Sequence, residues 1–414
     1  MLKSAAKTIA LSIPPIRKHW ERLRQLERRV EFLEGRVKWH YSNQLLHRPV
    51  SLLDPAVSVR RVTDQVSYQD DHGIVTRILA AYRLAASEQE DLGDSMWKTF
   101  FSDKHQELHA VFMRGNLEEA RDVLRDPEKS ELQYGFSMLC AGLYDTKAPD
   151  EALHEGARQY LDWLLCLAEH IGAVRMYNPE TASERIIKAD DLISKIEQVL
   201  GISIHIPNPY PSEAGLSTSR GVLTDRVPMA LYQAWKTRKA TEGIERPRVL
   251  EIGAGHGLAA YYAWSLGIRD YTIIDIPFSC LSSSYFLMRT LGPNNVCLYG
   301  EESMDSRHKI KIVPPKSFFS DQQLYDLILN VDSLTEMDER VAHAYLTKIA
   351  GQAHQFLSIN HETNQHTVRD GITRSSAPIY ERVPCYIRKG YVEETVRFRT
   401  RTGSWKGARS SAKP

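Results

Sequence analysis

The 414 residues carry 53 Lys and Arg against 52 Asp and Glu, so the net charge of +1 supplies no general field drawing the chain to nucleic acid. With 42% apolar and 25% charged residues the chain is long enough to bury the cores of two domains, and no apolar run reaches the roughly 18 residues of a membrane span. Five cysteines without a C-x-x-C pair argue against a disulfide framework or structural zinc, and suit a reducing, cytoplasmic compartment.

Residues 1–49 read as a tail followed by an amphipathic helix. The tail has two lysines and the short run Ile9–Ile13, too brief for a signal peptide, and a weak peripheral membrane contact stays open. After Pro14-Pro15, the residues Leu23, Leu26, Val30, Leu33 and Val37 alternate steps of three and four with charge on the other faces, a coiled-coil-like seam. Such a helix either pairs chains into a homo-oligomer, docks a partner, or packs on its own domain. From Val50 to Ile206 the periodicity is mostly helical, as in Ile74–Tyr82, Ala152–Ile171 and Arg185–Leu200, and predicts a helical N-terminal domain serving as acceptor cleft or lid. Within it, His105-Gln-Glu-Leu-His109 imitates a metalloprotease helix. Glu107 stands two residues from each histidine, on the opposite side from both, so no zinc site is expected and a helix face touching its neighbours is.

The Pro-rich joint Pro207–Pro211 leads to a helix over Pro228–Lys239 and then to the most informative stretch, Arg248-Val-Leu-Glu-Ile-Gly-Ala-Gly-His-Gly257. An apolar run followed by spaced glycines predicts a strand, a tight loop and a helix start, because the backbone must turn sharply beside a ligand. A dinucleotide site wants Gly-x-Gly-x-x-Gly, which would place its third glycine at Leu258. Glu251 would repel a pyrophosphate but suits a ligand bearing an ammonium and a sulfonium. Asp275, ending the next strand, is placed to accept hydrogen bonds from a ribose diol. The pattern therefore points to S-adenosylmethionine. His256 inside the loop is expected to face the methionine moiety or solvent.

Strands are predicted at Arg248–Ile252, Tyr271–Ile274, Val296–Tyr299, Asp326–Asn330 and Phe356–Asn360, helices at Phe278–Leu291 and Arg340–Ala350, and a closing hairpin over Cys385–Phe398. The fold class is thus α/β, a Rossmann-like, doubly wound, mostly parallel seven-stranded sheet over residues 207–400, with a basic disordered tail at 401–414. Ligands of such sheets lie outside the carboxyl ends of the strands. Cofactor contacts are accordingly expected at Glu251, Gly253, Gly255, Gly257, Asp275 and Ile276, with Glu301 after the third strand and Asn330 at the fourth. Catalytic candidates follow the fourth and fifth strands: His361 as general base, with Glu362 beside it, and Asp332 and Glu336, four apart, to bind hydroxyls or act as the base. Asp332, Glu336 and Glu362 could together hold a divalent cation, although none is expected.

Several strings together resemble a bacterial family of sugar O-methyltransferases. They are Lys104–His109, Leu124-Arg-Asp-Pro127, Tyr134-Gly-Phe136, Val249–Gly257, Tyr271–Pro277, Asn330-Val-Asp-Ser-Leu-Thr-Glu-Met337, Ser358-Ile-Asn-His-Glu362 and Arg388-Lys-Gly-Tyr-Val-Glu-Glu394. The resemblance runs from about Trp97 to Val396. It implies a class I S-adenosylmethionine-dependent fold, donor contacts at Glu251, Gly253, Gly255, Gly257 and Asp275, and a sugar or glycan acceptor in surface-glycan or nucleotide-sugar synthesis. Methylation of a non-sugar small molecule, and a non-catalytic adaptor role in glycan assembly, are the rival readings.

Overall fold

The computed structural model describes residues 14–43, 57–62, 70–88, 98, 101, 105–127, 130, 132, 150–176, 186–210, 213–302, 307–374 and 379–398. The membrane-surface reading of residues 1–13, the resemblance at Tyr134–Phe136 and the tail beyond 398 lie outside them. The chain divides into two compact units, residues 1–48 and 49–414. The first contains one helix of 30 residues, α1 (Pro14–Asn43). It starts at the proline pair, since the first turn of a helix needs no N–H donor there.

In the second unit the large sheet is built on strands that are apolar on both faces, as parallel strands covered by helices must be. All residues of β4 (Arg248–Ile252) and β5 (Asp270–Ile274) are buried, and β8 (Tyr325–Val331) and β9 (Ala353–His361) are nearly so. With β6 (Val296–Leu298), β7 (Ile310–Val313), β10 (Ile379–Pro384) and β11 (Tyr391–Arg397), the order is β10-β11-β9-β8-β4-β5-β7-β6. Strands β4 to β9 run parallel, whereas β11 is antiparallel to both its neighbours. From β4 the chain steps to β5 on one side and later returns to β8 on the other. The crevice at the carboxyl ends of β4 and β8 is therefore the switch point of the topology.

One face of the sheet is sealed by α10 (Pro315–Ser320), α12 (Glu339–Gln352) and α13 (Val368–Arg374), whose Phe318, Tyr345, Ile349 and Ile372 join Leu250, Ile328 and Phe356 in the core. Helix α7 (Arg226–Ala240) packs on β8, α8 (Leu258–Ser265) on β5, and α9 (Pro277–Leu291) on β6 and β7. A short antiparallel sheet of β1 (Val59–Arg61), β2 (Ala214–Thr218) and β3 (Gly221–Leu223), unforeseen in the sequence, accompanies them.

The sheet has eight strands, not the seven expected. The extra one is β7, which takes the place beside β5 and displaces Val296–Leu298 to the edge. Its short run is disguised by Lys311, buried at 2% exposure, whose ammonium pairs with Asp270 at 2.8 Å. The hairpin also shifts: its first strand ends at Pro384, and Cys385 begins the turn that closes through Cys385 N–H donating to Tyr391 O at 2.9 Å.

The helical region holds α2 (His72–Ala86), α3 (Gln106–Arg114), α4 (Leu117–Arg125), α5 (Asp150–His170) and α6 (Ala189–Leu200). It falls in the same compact unit as the large sheet, where the sequence reading drew a boundary at 206/207. Polar clamps join the two. Asp71, at the start of α2, receives both arms of Arg125 at 2.8 and 2.9 Å and the Tyr285 hydroxyl of α9 at 2.6 Å. Arg77 grips Glu301 with two bonds of 2.6 Å and donates to the carbonyls of Pro293 and Val296.

Candidate active site

Strand β4 delivers the glycine loop into the switch-point crevice. Gly253, Gly255 and Gly257 all take positive φ (76°, 55° and 85°), which a side chain would resist. For two of them the protein itself sets the demand. A Cβ on Gly253 would lie 2.1 Å from Ser333 Oγ, and one on Gly257 would lie 2.9 Å from Leu287 Cδ1. Asp275 at the end of β5 anchors the loop: its carboxylate accepts the N–H of Gly255 and that of Ile276, each at 2.9 Å. Burial pushes the Asp275 carboxyl up to about 6, against the opposing pull of those amides. Ile276 caps α9, and its backbone N–H is spent on Asp275.

Glu251 lies deeper than its sequence role implied. It is 2% exposed within the sheet and accepts the Tyr271 hydroxyl at 2.8 Å. Burial pushes its carboxyl up to about 7, with the Tyr271 bond opposing and nearby Asp275 adding to the rise. His256 lies against Phe286, with ring centroids 4.2 Å apart, and near Tyr210 at 5.4 Å. Burial, reinforced by Arg226, drives its pKa down to about 3, so at neutral pH the ring carries no charge.

Asn330 is fully consumed by the protein. Its amide donates to Ile252 O at 2.9 Å and Ser333 Oγ at 2.6 Å, and its Oδ1 accepts from Asn360 Nδ2 at 2.8 Å. Asn360 continues to Ser358 Oγ at 2.8 Å, so a buried polar ladder locks together the ends of β4, β8 and β9. This network positions the strand ends and leaves Asn330 little to offer a ligand.

Beyond the ladder a polar cluster gathers. Asp332 precedes the one-turn helix α11 (Ser333–Glu336) with φ 66°, an unusual conformation for a non-glycine residue. Its N–H donates to Ile359 O at 3.1 Å and its Oδ2 accepts from Arg388 at 2.5 Å. Its Oδ1 is buried with no hydrogen-bond partner among the described residues. Arg388 stacks on Tyr391, its Cζ 3.6 Å from the ring centre, and Tyr391 meets His361 edge-on at 5.5 Å. Burial works against the Arg388 charge, but Asp332 and Tyr391 hold its pKa above the usual value. Burial likewise pushes the Tyr391 phenol up against the pull of Arg388, with Asp332 and Glu336 adding to the rise. His361 Nδ1 contacts the Thr363 hydroxyl at 2.8 Å.

The structure thus places Asp332, Glu336 and His361 each near Tyr391 and leaves two predicted residues apart. Glu362 pairs with Arg382 of β10 at 2.6 Å. Glu301 follows the edge strand β6, with β7 between that strand and β5, and is occupied by Arg77. Its place after the third strand of the switch is taken by Val313-Pro314. Beside that end, a small apolar hollow lies between α2 and α9, with Ile78, Tyr82, Leu281, Val313 and Pro314 among its walls. Arg388 and Tyr391 were missed as site residues; the only signal for them was the Arg388–Glu394 string. Among the described residues, no three His, Cys, Asp or Glu side chains converge as a metal site would require. His105 stacks on Phe278 at 4.0 Å while His109 bonds the Tyr82 hydroxyl at 2.7 Å, so the two histidines serve different contacts.

No protein-family model matches the chain. No curated protein matches it either. Among solved structures it is similar to magnesium protoporphyrin IX methyltransferase from Synechocystis with S-adenosylmethionine bound, at 15% identity over 41% of this chain and 83% of that one, TM-score 0.29. A glycopeptide N-methyltransferase complexed with sinefungin is 14% identical over 41% of this chain and 94% of its own, TM-score 0.32. The ribosomal protein L11 methylase of Lactobacillus delbrueckii subsp. bulgaricus is 11% identical over 42% and 81%, TM-score 0.29.

Proposed function

We propose that this chain is an S-adenosylmethionine-dependent methyltransferase acting on a hydroxyl group, with a sugar as acceptor. The observation that carries the proposal is one crevice flanked by two kinds of chemistry. On one side stand the positive-φ glycine loop and Asp275; on the other stand Asp332, Arg388, Tyr391 and His361. The residues fit the donor. Asp275 would accept the ribose hydroxyls, and the loop from Gly253 to Gly257 would line the methionine end. The donor supplies an electrophilic methyl group on a sulfonium, which leaves as a neutral thioether when the acceptor oxygen takes the methyl.

An alcohol attacks poorly until its proton is removed, and His361 is the group for that task. Base work at Nε2 requires the proton on Nδ1, where it would go to Thr363 Oγ1 at 2.8 Å and displace the Thr363 N–H that approaches the same nitrogen at 3.4 Å. Asp332 Oδ1 makes no hydrogen bond of good geometry among the described residues, although the Tyr391 phenol lies close enough to feel the carboxylate, and it would accept from a hydroxyl of the acceptor. Arg388 fixes Asp332 in place by pairing with its other oxygen. An acceptor hydroxyl bonded to Asp332 agrees with the resemblance of the Asp332–Met337 and Ser358–Glu362 strings to the sugar O-methyltransferase family, which is what favours a sugar.

The test is methyl transfer from labelled S-adenosylmethionine to a panel of nucleotide sugars and oligosaccharides, read by mass spectrometry. We expect one methyl on an oxygen of a sugar acceptor, and a drop of about 100-fold or more in His361→Ala with donor binding intact. Full activity in that variant would overturn the assignment of the base. Methylation confined to amines would overturn the hydroxyl reading.

A further inference from the structure

The surface of α1 carries an apolar seam that is exposed among the described residues. Leu23, Leu26, Val30 and Leu33 are 40%, 53%, 52% and 41% exposed, although four large apolar side chains in one row belong against a partner. Their steps of three and four assign Leu23 and Val30 to the a positions of a seven-residue repeat and Leu26 and Leu33 to d. Val37 continues the seam in the sequence at the next a. At Val30 and Val37, though not at Leu23, the a residue is β-branched, and with leucine at d that combination favours two parallel strands.

The flanking charges decide the partner and its direction. In this register Arg22 and Arg29 fall at g, and Glu27 and Glu34 at e. In a parallel, in-register pair each g residue faces the e residue five positions later on the other helix. Arg22 then meets Glu27, and Arg29 meets Glu34, on both sides of the seam. An antiparallel pair would instead face g with g and e with e, setting arginine against arginine and glutamate against glutamate. We propose that α1 docks a second copy of this chain as a parallel, in-register, two-stranded coiled coil. The self-complementary charges select the chain itself over any partner lacking the same alternation.

Sedimentation of the full chain tests this directly. The wild type is expected to sediment as a dimer that weakens as salt rises. Arg22→Glu with Arg29→Glu places glutamate at both g and e, and Glu27→Arg with Glu34→Arg places arginine at both. Each double variant should weaken the dimer by about tenfold or more, and mixing the two should restore dimers as heterodimers, since each reversal turns attraction across the seam into repulsion. In this register the four positions flank the apolar seam and do not form it, so the circular dichroism of each variant should stay native. A wild type that stays monomeric at its highest soluble concentration, as it would if the seam served another protein, would overturn the proposal. A trimer, or a dimer indifferent to both charge reversals, would overturn it as well.

Discussion

Glu251 is a carboxyl placed where its charge is costly. In the unfolded chain a glutamate titrates near 4.3, whereas burial beside Tyr271 raises Glu251 to about 7 in the fold. The folded state therefore holds a proton that the unfolded state has released between these two values. Stability from this group is fully present below the unfolded value and falls as pH rises through 7. Asp275, raised to about 6, adds a slope of the same sign over a lower window. Glu251→Gln keeps an acceptor for the Tyr271 hydroxyl without the titration. Denaturant unfolding at pH 5 and pH 8 should show the wild type losing roughly 2–4 kcal/mol more than the variant across that interval. Parallel profiles would mean that Glu251 is not desolvated as described. The sequence made this glutamate visible through its place before the glycines, as an anion beside the loop that suits a cationic ligand. What it concealed was the neighbouring strand: Tyr271 lies 20 positions away, and only strand pairing brings its hydroxyl to the carboxylate.

Among the elements, the Asp71 clamp joins three helices that are far apart in sequence. Asp71 begins α2, Arg125 ends α4 and Tyr285 lies within α9, and Asp71 itself is 1% exposed. Burial penalises the Asp71 charge, but the Arg125 and Tyr285 bonds more than compensate and hold the carboxyl below its usual value. Asp71→Ala would leave a guanidinium and a phenol facing an apolar methyl, at a cost of about 2–4 kcal/mol in urea unfolding. A loss below about 1 kcal/mol would show that packing of α2 on α9, rather than the clamp, joins the helical region to the sheet. Elements with strong periodicity were legible: α7, α9 and α12 begin and end within a few residues of their expected bounds. Short strands were not. β7 hides behind Lys311, β2 reads as a glycine- and serine-rich loop, and the charged edge strand β10 has Glu381 and Arg382 at its centre. Their residues are explained by partners distant in sequence, which local pattern does not contain.

In the molecule as a whole, the sheet order makes the candidate site. Because β4 lies between β5 and β8, the loop after β4 and the turn after β8 open into one crevice, and β9 with β11 brings His361, Arg388 and Tyr391 to its rim. The strand ends were legible as places where chemistry would collect, since each predicted strand is followed by polar or glycine residues. Which of those residues turn toward the crevice was not, because long-range pairs decide it: Arg77 takes Glu301, Arg382 takes Glu362, and Asn360 takes Asn330. No helix among the described residues is long and apolar enough to cross a membrane. The central claim is that the crevice holds S-adenosylmethionine, and calorimetric titration of the full chain with that compound tests it most directly. The account predicts one site per chain, competed by S-adenosylhomocysteine, and weakened about tenfold or more, equivalent to about 1.4 kcal/mol, in Asp275→Ala. Absence of binding, or binding unchanged in Asp275→Ala, would contradict it.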